Sequence, residues 1–400
     1  MKFLFLVLSF FLTFSCSENQ TSVSAKEIAQ NVLILDSHID VPYRLWNQHL
    51  EGLEIDDISG STKGDFDFIR AKKGGLNVPF FSIYLPASTQ SDGTSHKMAN
   101  ELIDLVEDIV TLHPDKFFLI KSTQDIKTLQ KKSVVGIALG MENGAPIEGD
   151  LSRVQYYFDR GIRYITLTHS KTNHISDSSY DENIQWHGLS EFGKNLIGEM
   201  NRVGIMIDIS HVNDEAFYQA IEISEAPVIV SHSSLRHFTP GFERNVDDAM
   251  LSKLAEKGGV LQINFGSSFI SQRSRNYSTA MEEFLQEKFG EDRSDLSEEI
   301  INEARREFVY ENEYPFATLD EVLDHFDRVV SLVGINHVGI GSDYDGVGDT
   351  LPVGLKDVSS YPNLIQGLLE RGYSQKDIEK ILGGNLMKVW REVEEYAIQH

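Results

Sequence analysis

Eight apolar, β-rich runs of strand length punctuate the chain, and each gives way to polar residues: 31–40, 75–85, 134–144, 164–170, 205–211, 227–234, 260–266 and 337–346. The segments between them carry apolar residues at helical spacing, as in Met98, Leu102, Leu105 and Ile109; Phe192, Leu196 and Met200; Phe217, Ala220 and Ile221; and Leu319, Val322, Phe326 and Val330. Near-continuous apolar strands alternating with amphipathic helices predict a parallel sheet covered on both faces. Eight such units predict a TIM-type (β/α)8 barrel rather than an open doubly wound sheet. The absence of a G-x-G-x-x-G after the first run points the same way. The longest interruption, 271–314, follows the seventh run. Its stripes at Met281, Phe284, Leu285 and Phe289, then Ile300, Ala304 and Phe308, predict two surface helices separated by a break at 290–297. Short helices over 362–368, 375–382 and 385–396 are expected to finish the barrel.

The first residues follow a different pattern. MKFLFLVLSFFLTFSC has one early lysine and an apolar stretch too short to span a bilayer, as an export signal does. The cysteine at its end and the polar SENQTSVSAKE behind it resemble a lipoprotein signal, with Thr13 where such signals usually carry leucine. The expectation is a signal peptide over 1–15, acylation of Cys16, a linker over 16–26 and a catalytic domain over 27–400. The protein would then be exported and lipid-anchored to a bacterial membrane in the cell envelope.

Composition removes other options. With 36 basic against 61 acidic residues, a formal charge of -25 and no basic run, the chain lacks the footprint that nucleic acid requires. A single cysteine excludes a disulfide framework and a cysteine-based zinc site, which leaves the 13 histidines to carry any transition-metal chemistry. No G-x-S-x-G or H-E-x-x-H occurs. Asp343-x-Asp345-Gly346 imitates a calcium loop, but its glycine comes too early and the twelfth position is Gly354.

In a barrel of this kind the active site lies where the strands end. The sequence places His38 and Asp40 at the end of the first run, Glu142 at the third, His169 at the fourth, His211 at the fifth, His232 at the sixth and Asp343 at the eighth. Any one of these alone is more ordinarily a hydrogen-bonded core histidine or a helix cap. Six strands delivering such groups to one end would repel or desolvate badly without a cation. Imidazole with carboxylate and no thiolate suits zinc, with manganese or cobalt as alternatives. Seven groups exceed what one catalytic ion needs, so two ions about 3.5–4 Å apart are expected, sharing a carboxylate and an activated water. His38 and Asp40, two apart on a strand, would serve one ion, His211 and His232 the other, and Glu142 would bridge. His49, His96, His113 and His400 receive no role, and His174 and Asp177 are as well explained by a solvated loop.

The stretches DSHID (36–40), MEN around Glu142, GIRYITLTH (161–169), GLSEFG (188–193), IDISHV (207–212), VSHSS (230–234), RNVDD (244–248), GIGSDYDG (339–346) and GGN (383–385) resemble the membrane dipeptidase family, peptidase family M19, within the amidohydrolase-like barrels. The resemblance runs from about Ala25 to Glu395. It implies two Zn2+ held by His38, Asp40, Glu142, His211 and His232, a substrate-contacting His169, a substrate-carboxylate arginine at Arg244 and a strand-eight aspartate at Asp343. It further implies hydrolysis of dipeptides with an L or D C-terminal residue through a metal-bridging hydroxide, and leaves room for a homodimer. His169 would stabilise an oxyanion and Asp343 would move a proton. Unlike animal members, this sequence has no second cysteine and no hydrophobic tail. The alternatives are a binuclear amidohydrolase acting on another amide or lactam, and a peptide-binding lipoprotein without activity.

Overall fold

Every one of the eight apolar runs holds or feeds a strand. In the computed structural model, which describes residues 24–129, 133–290, 293 and 296–400, these are β1 (Ile34–Ile39), β2 (Leu76–Tyr84), β4 (Val135–Glu142), β5 (Ile162–Thr166), β6 (Met206–Asp208), β7 (Ile229–Ser233), β8 (Val260–Ile263) and β9 (Val338–Ile340). All pairings are parallel, in the order β1-β2-β4-β5-β6-β7-β8-β9. The ring returns to its start where Asp40 N donates to Tyr344 O (2.9 Å) and Asp343 N to His38 O (3.0 Å). The result is a nearly closed (β/α)8 barrel. Cys16 and the expected signal peptide lie outside the described residues.

One strand escapes the sequence pattern. β3 (Phe117–Leu119) pairs only with the first half of β4, from Phe117 against Val135 to Leu119 against Ile137, and stands outside the barrel. Three residues between two helices offer too short a run for the alternation to register.

The amphipathic segments form helices with readable ends. Of Ser95–Leu112, Glu191–Val203, Asp214–Ile223 and Leu319–Val333, the third buries all the residues whose spacing predicted it, while the others bury part of their stripes and pack Leu105, Ile109, Phe192, Leu319 and Val330 partly buried against the core. Ser190 and Asn213 cap the second and third, and Thr318 with Glu321 forms a reciprocal cap on the fourth. The first described helix, Ala25–Asn31, starts two residues ahead of the expected domain edge because Ser24 and Glu27 cap it and Ala25 and Ile28 pack into the core. After β8 come Ser267–Ile270 and then the two insertion helices, Gln272–Phe289 and Glu298–Glu311, joined through Tyr277 and Phe284 against Phe308. Among the described residues no helix is long and apolar enough to cross a membrane.

The barrel interior changes character along its axis. Leu35, Val78, Phe80, Ala138, Tyr164, Met206, Ile229 and Val260 form one cluster, which Leu386 and Trp390 of the last helix, Asn385–Gln399, close from below. Burying each of these larger side chains contributes about 1.5–3 kcal/mol. Above them the buried residues become hydroxylic or acidic, namely Ser37, Ser82, Thr166, Asp208 and Ser231. Beyond those, at the C-terminal strand ends, are the histidines and carboxylates.

Candidate metal centre and active site

A cavity of about 850 Å3 opens at these strand ends, a volume in the range of small-molecule sites. Asp40, Glu142, His169, His211, His232 and Asp343 line it, and the loops add Tyr43, Arg44, Tyr84, Lys171, Tyr180 and Phe269. Glu142 stands at the centre. Its Oε2 lies 3.3 Å from His38 Nε2, while its Oε1 lies 3.0 Å from His211 Nε2, 3.2 Å from His232 Nε2 and 3.4 Å from His169 Nε2. One carboxylate therefore presents one oxygen to His38 and the other to His169, His211 and His232. On the far side of His38, its Nε2 is 3.4 Å from Asp40 Oδ2. Asp40 occupies the first position before the helix Val41–Leu50 yet makes no capping hydrogen bond, so its side chain is left to face the cavity.

Buried hydrogen bonds fix which ring nitrogen points inward. Tyr164 Oη donates to Ser37 O (3.0 Å), so its contact with His38 Nδ1 (2.8 Å) is one in which the histidine donates. That leaves His38 Nε2 as the nitrogen facing Glu142 and Asp40, where it is buried and has no hydrogen-bond partner. The Ser231 hydroxyl likewise donates to Asp208 Oδ2 (2.6 Å) and accepts from His232 Nδ1 (2.7 Å). Asp208 also accepts from Thr166 Oγ1 (2.5 Å) and from Ser210 N and Oγ (3.0 and 2.8 Å). His38 and His232 are thus each oriented by a group behind them, as second-layer partners orient metal ligands. Asn264 Nδ2 donates to Asp343 Oδ2 (2.7 Å), and Ser82 Oγ to Glu142 Oε2 (3.1 Å).

The backbone is also specialised here. Asn143, His211 and Asp343 have φ of 84°, 68° and 63°, a left-handed conformation that costs non-glycine residues energy and clusters at functional sites. Gly346 packs where any side chain would run into the Asp40 and Asp343 carboxylates, and Gly140 leaves room for the Tyr164 ring on its way to His38.

The charges are tightly linked. Burial alone would favour neutral groups, but His38 and His169, with hydrogen bonds from His211 and His232, hold Glu142 well below the usual carboxylate range. Burial opposes a charged His38, and Tyr164, Glu142 and Asp40 outweigh it and hold that ring well above the usual range. Burial with Arg244 pushes His211 down, and burial with His38 does the same to His232. Burial and the neighbouring Asp40 push Asp343 up to about 7.

These residues fit divalent metal. Ligand atoms of His38, Glu142 and His232, of Glu142, His169 and His211, and of His38, Asp40 and Asp343 all approach one another within 4.8 Å, and Glu142 belongs to two of the three groups. The unpartnered His38 Nε2 and the purely imidazole and carboxylate donor set agree with that chemistry. His169 shares a group with Glu142 and His211 and also lines the cavity.

Arg244 is placed differently from its sequence expectation of an open fork. It is 3% exposed and does not line the cavity. Its Nη1 donates to Ser233 Oγ, its Nη2 donates to His232 O (2.7 Å) and lies 3.0 Å from His211 Nε2, and its Nε is buried without a partner. Asp177 is fully buried and accepts from the backbone N–H groups of Gln185, Trp186 and Gly188, which organises the loop that carries Lys171 and Tyr180. His174 lies on Phe192 beside a separate, smaller cavity with Glu148. Sequence reasoning missed Tyr164, Asp208, Ser231 and Asn264 as orienting groups, though Asp208 and Ser231 sit beside the histidines in IDISH and VSHSS. It also missed Tyr180 and Phe269, for which no pattern gives a signal.

Comparison with known proteins agrees with the geometry. Residues 23–400 match the family described as membrane dipeptidase, peptidase family M19. An uncharacterized dipeptidase of Schizosaccharomyces pombe is 32% identical over 388 residues, covering 94% of this chain and 83% of the relative. Dipeptidase 3 of Mus musculus is 30% identical over 385 residues, covering 95% and 68%. The crystal structure of the probable dipeptidase PvdM from Pseudomonas aeruginosa superposes with a TM-score of 0.80 at 27% identity, covering 93% of this chain and 98% of that one. Family match, relatives and fold coincide on a site built for divalent metal, and the chain belongs to the membrane dipeptidase family, the metallo-dipeptidases of peptidase family M19.

Proposed function

We propose that this protein is a binuclear zinc dipeptidase in which Glu142 bridges two ions, His38 and Asp40 hold one, and His211 and His232 hold the other. The observation that carries the reading is the split of the Glu142 carboxylate, with Oε2 toward His38 and Oε1 toward His211 and His232. Bound there, the ions would supply an acidified water as nucleophile and would polarise the scissile carbonyl. His169, a neutral ring reachable from the cavity, donates to the oxygen that becomes negative as the carbonyl is attacked. Asp343, held by Asn264 and exposed to the cavity, accepts the nucleophile's proton and returns it to the departing amine. Arg244, buried beside His211 with its Nε unpaired, would release its contacts with Ser233 and His232 O to take the substrate's free carboxylate on its two-pronged donor edge. Recognition by carboxylate rather than by an extended backbone ladder accommodates an L or a D residue at the C-terminus.

A carboxylate anchor at a fixed distance from the only peptide bond measures substrate length. Purified protein is expected to cleave unblocked dipeptides, to act weakly on their C-terminal amides and to leave tripeptides intact. Arg244→Ala should lower kcat/KM by about 10–100-fold with the metals retained. Equal turnover of dipeptides and their amides would instead favour an amidohydrolase of other specificity. We further propose that acylated Cys16 tethers the mature protein to a membrane. Wild-type protein should partition into detergent and Cys16→Ser should not; identical behaviour of the two contradicts the tether.

A further inference from the structure

We propose that Arg275, contributed by the helical insertion, selects dipeptides whose C-terminal residue carries an acidic side chain. The proposal rests on the dipeptidase reading above and adds a second anion contact to it. Two phenylalanines, Phe242 and Phe269, meet edge to face with their centroids 5.6 Å apart, and Phe269 lines the cavity. The Arg244 guanidinium lies 5.3 Å from the Phe269 ring, and the Arg275 guanidinium 3.7 Å from the Phe242 ring. The aromatic pair therefore has one cation beside each ring. Tyr180, also on the cavity wall, packs 6.0 Å from Phe242 and 5.9 Å from His211, and its hydroxyl lies within electrostatic reach of Arg244, Arg275 and Asp343. Tyr180 and Phe269 thus wall one end of the cavity, with Arg244 packed on Phe269 and Arg275 on Phe242 behind them.

The charges at that end are unusual for this chain. In a protein with 61 acidic and 36 basic residues, most arginines among the described residues are engaged by carboxylates, as Arg70 is by Asp67, Arg160 by Asp104, Arg236 by Asp214 and Arg371 by Asp324. Neither Arg244 nor Arg275 has a carboxylate partner within 4 Å among the described residues. A guanidinium lying against a ring keeps its N–H edge free to donate sideways. Arg275 is only partly exposed, held by Phe242 rather than solvated as a free surface cation. With the α-carboxylate of the substrate on Arg244, a side-chain carboxylate of the same residue extends toward Tyr180 and Arg275. Glutamate and aspartate provide that second anion, whereas glutamine matches the shape of glutamate without the charge.

The test compares alanylglutamate with alanylglutamine, near-isosteres that differ in charge. Wild-type protein should favour alanylglutamate by about tenfold or more in kcat/KM. Arg275→Gln should bring that ratio close to one, and Arg275→Lys should restore part of it. A wild-type ratio near one, or a ratio that Arg275→Gln leaves intact, overturns the proposal. So does an equal loss on both substrates, which marks Arg275 as structural. If neither dipeptide is cleaved, the dipeptidase reading fails separately, and calorimetric binding of the same two dipeptides to wild type and Arg275→Gln decides the matter. Preferential binding of alanylglutamate that the variant loses supports the second anion contact, and equal binding overturns it.

Discussion

The two ends of this barrel bury polar groups in opposite ways. At the floor, Arg163 directs its donors to the carbonyls of Lys121 (2.5 Å), Phe158 (2.7 Å) and Ile162 (2.8 Å), and lies over the Phe158 ring. Glu394 accepts from Thr123 N and Oγ1, and Asn385 donates to Ile335 O and Val338 O. Trp390 Nε1 is the exception there. At the mouth, by contrast, His38 Nε2, His169 Nδ1, His211 Nδ1 and Arg244 Nε are all buried without partners. A fold leaves such groups unpaired at a cost of about 1–3 kcal/mol each, so their concentration at one end marks the place reserved for metal and substrate. Satisfied polar groups stabilise the floor; unsatisfied ones at the mouth hold the capacity to bind.

That contrast can be broken at either end. Removing the shared carboxylate should have the largest effect: Glu142→Gln is expected to lower kcat at least about a thousandfold, since the ligand lost belongs to two of the three ligand groups. Less than tenfold loss would place the essential carboxylate elsewhere.

His325 sharpens the comparison because it is a buried histidine with both nitrogens satisfied. Nδ1 accepts from Leu235 N and Nε2 donates to Ile270 O, both at 3.1 Å, and burial pushes its pKa down to about 4. Its folded pKa lies below the unfolded value of about 6.5, so its contribution is complete above 6.5 and is lost as the pH falls toward 4. Between those limits wild type should lose about 2–3 kcal/mol more stability than His325→Gln, measured by denaturant unfolding of metal-stripped protein. Parallel pH profiles would show that the ring titrates normally.

At the floor, Arg163→Met should cost about 1–3 kcal/mol by leaving carbonyls unpaired, with kcat of the folded enzyme unchanged. A large fall in kcat without loss of stability would erase the distinction between the ends.

The barrel was legible in the sequence because strands buried on both faces read as unbroken apolar runs, and the helices between them keep one apolar stripe. β3 was not, because three residues outside the ring carry no periodicity. His38, Asp40, Glu142, His169, His211, His232 and Asp343 could be located together because each follows such a run, where the fold gathers strand ends. Their orienting partners were harder to see. Tyr164 reaches His38 across 126 residues, and Asn264 reaches Asp343 across 79. Such pairings exist only once the ring has formed. Arg244 was located by its motif, but its inward turn against His211 and His232 O was not. Arg275 lies in a helix whose charged pattern resembles any solvated surface, and only the packing on Phe242 distinguishes it.

Elemental analysis of the purified protein tests the central claim most directly. Wild type should carry close to two zinc-class ions per chain, and Glu142→Gln should lose both together because the Glu142 carboxylate presents one oxygen to His38 and the other to His169, His211 and His232. A single ion per chain that survives Glu142→Gln would contradict the bridged pair.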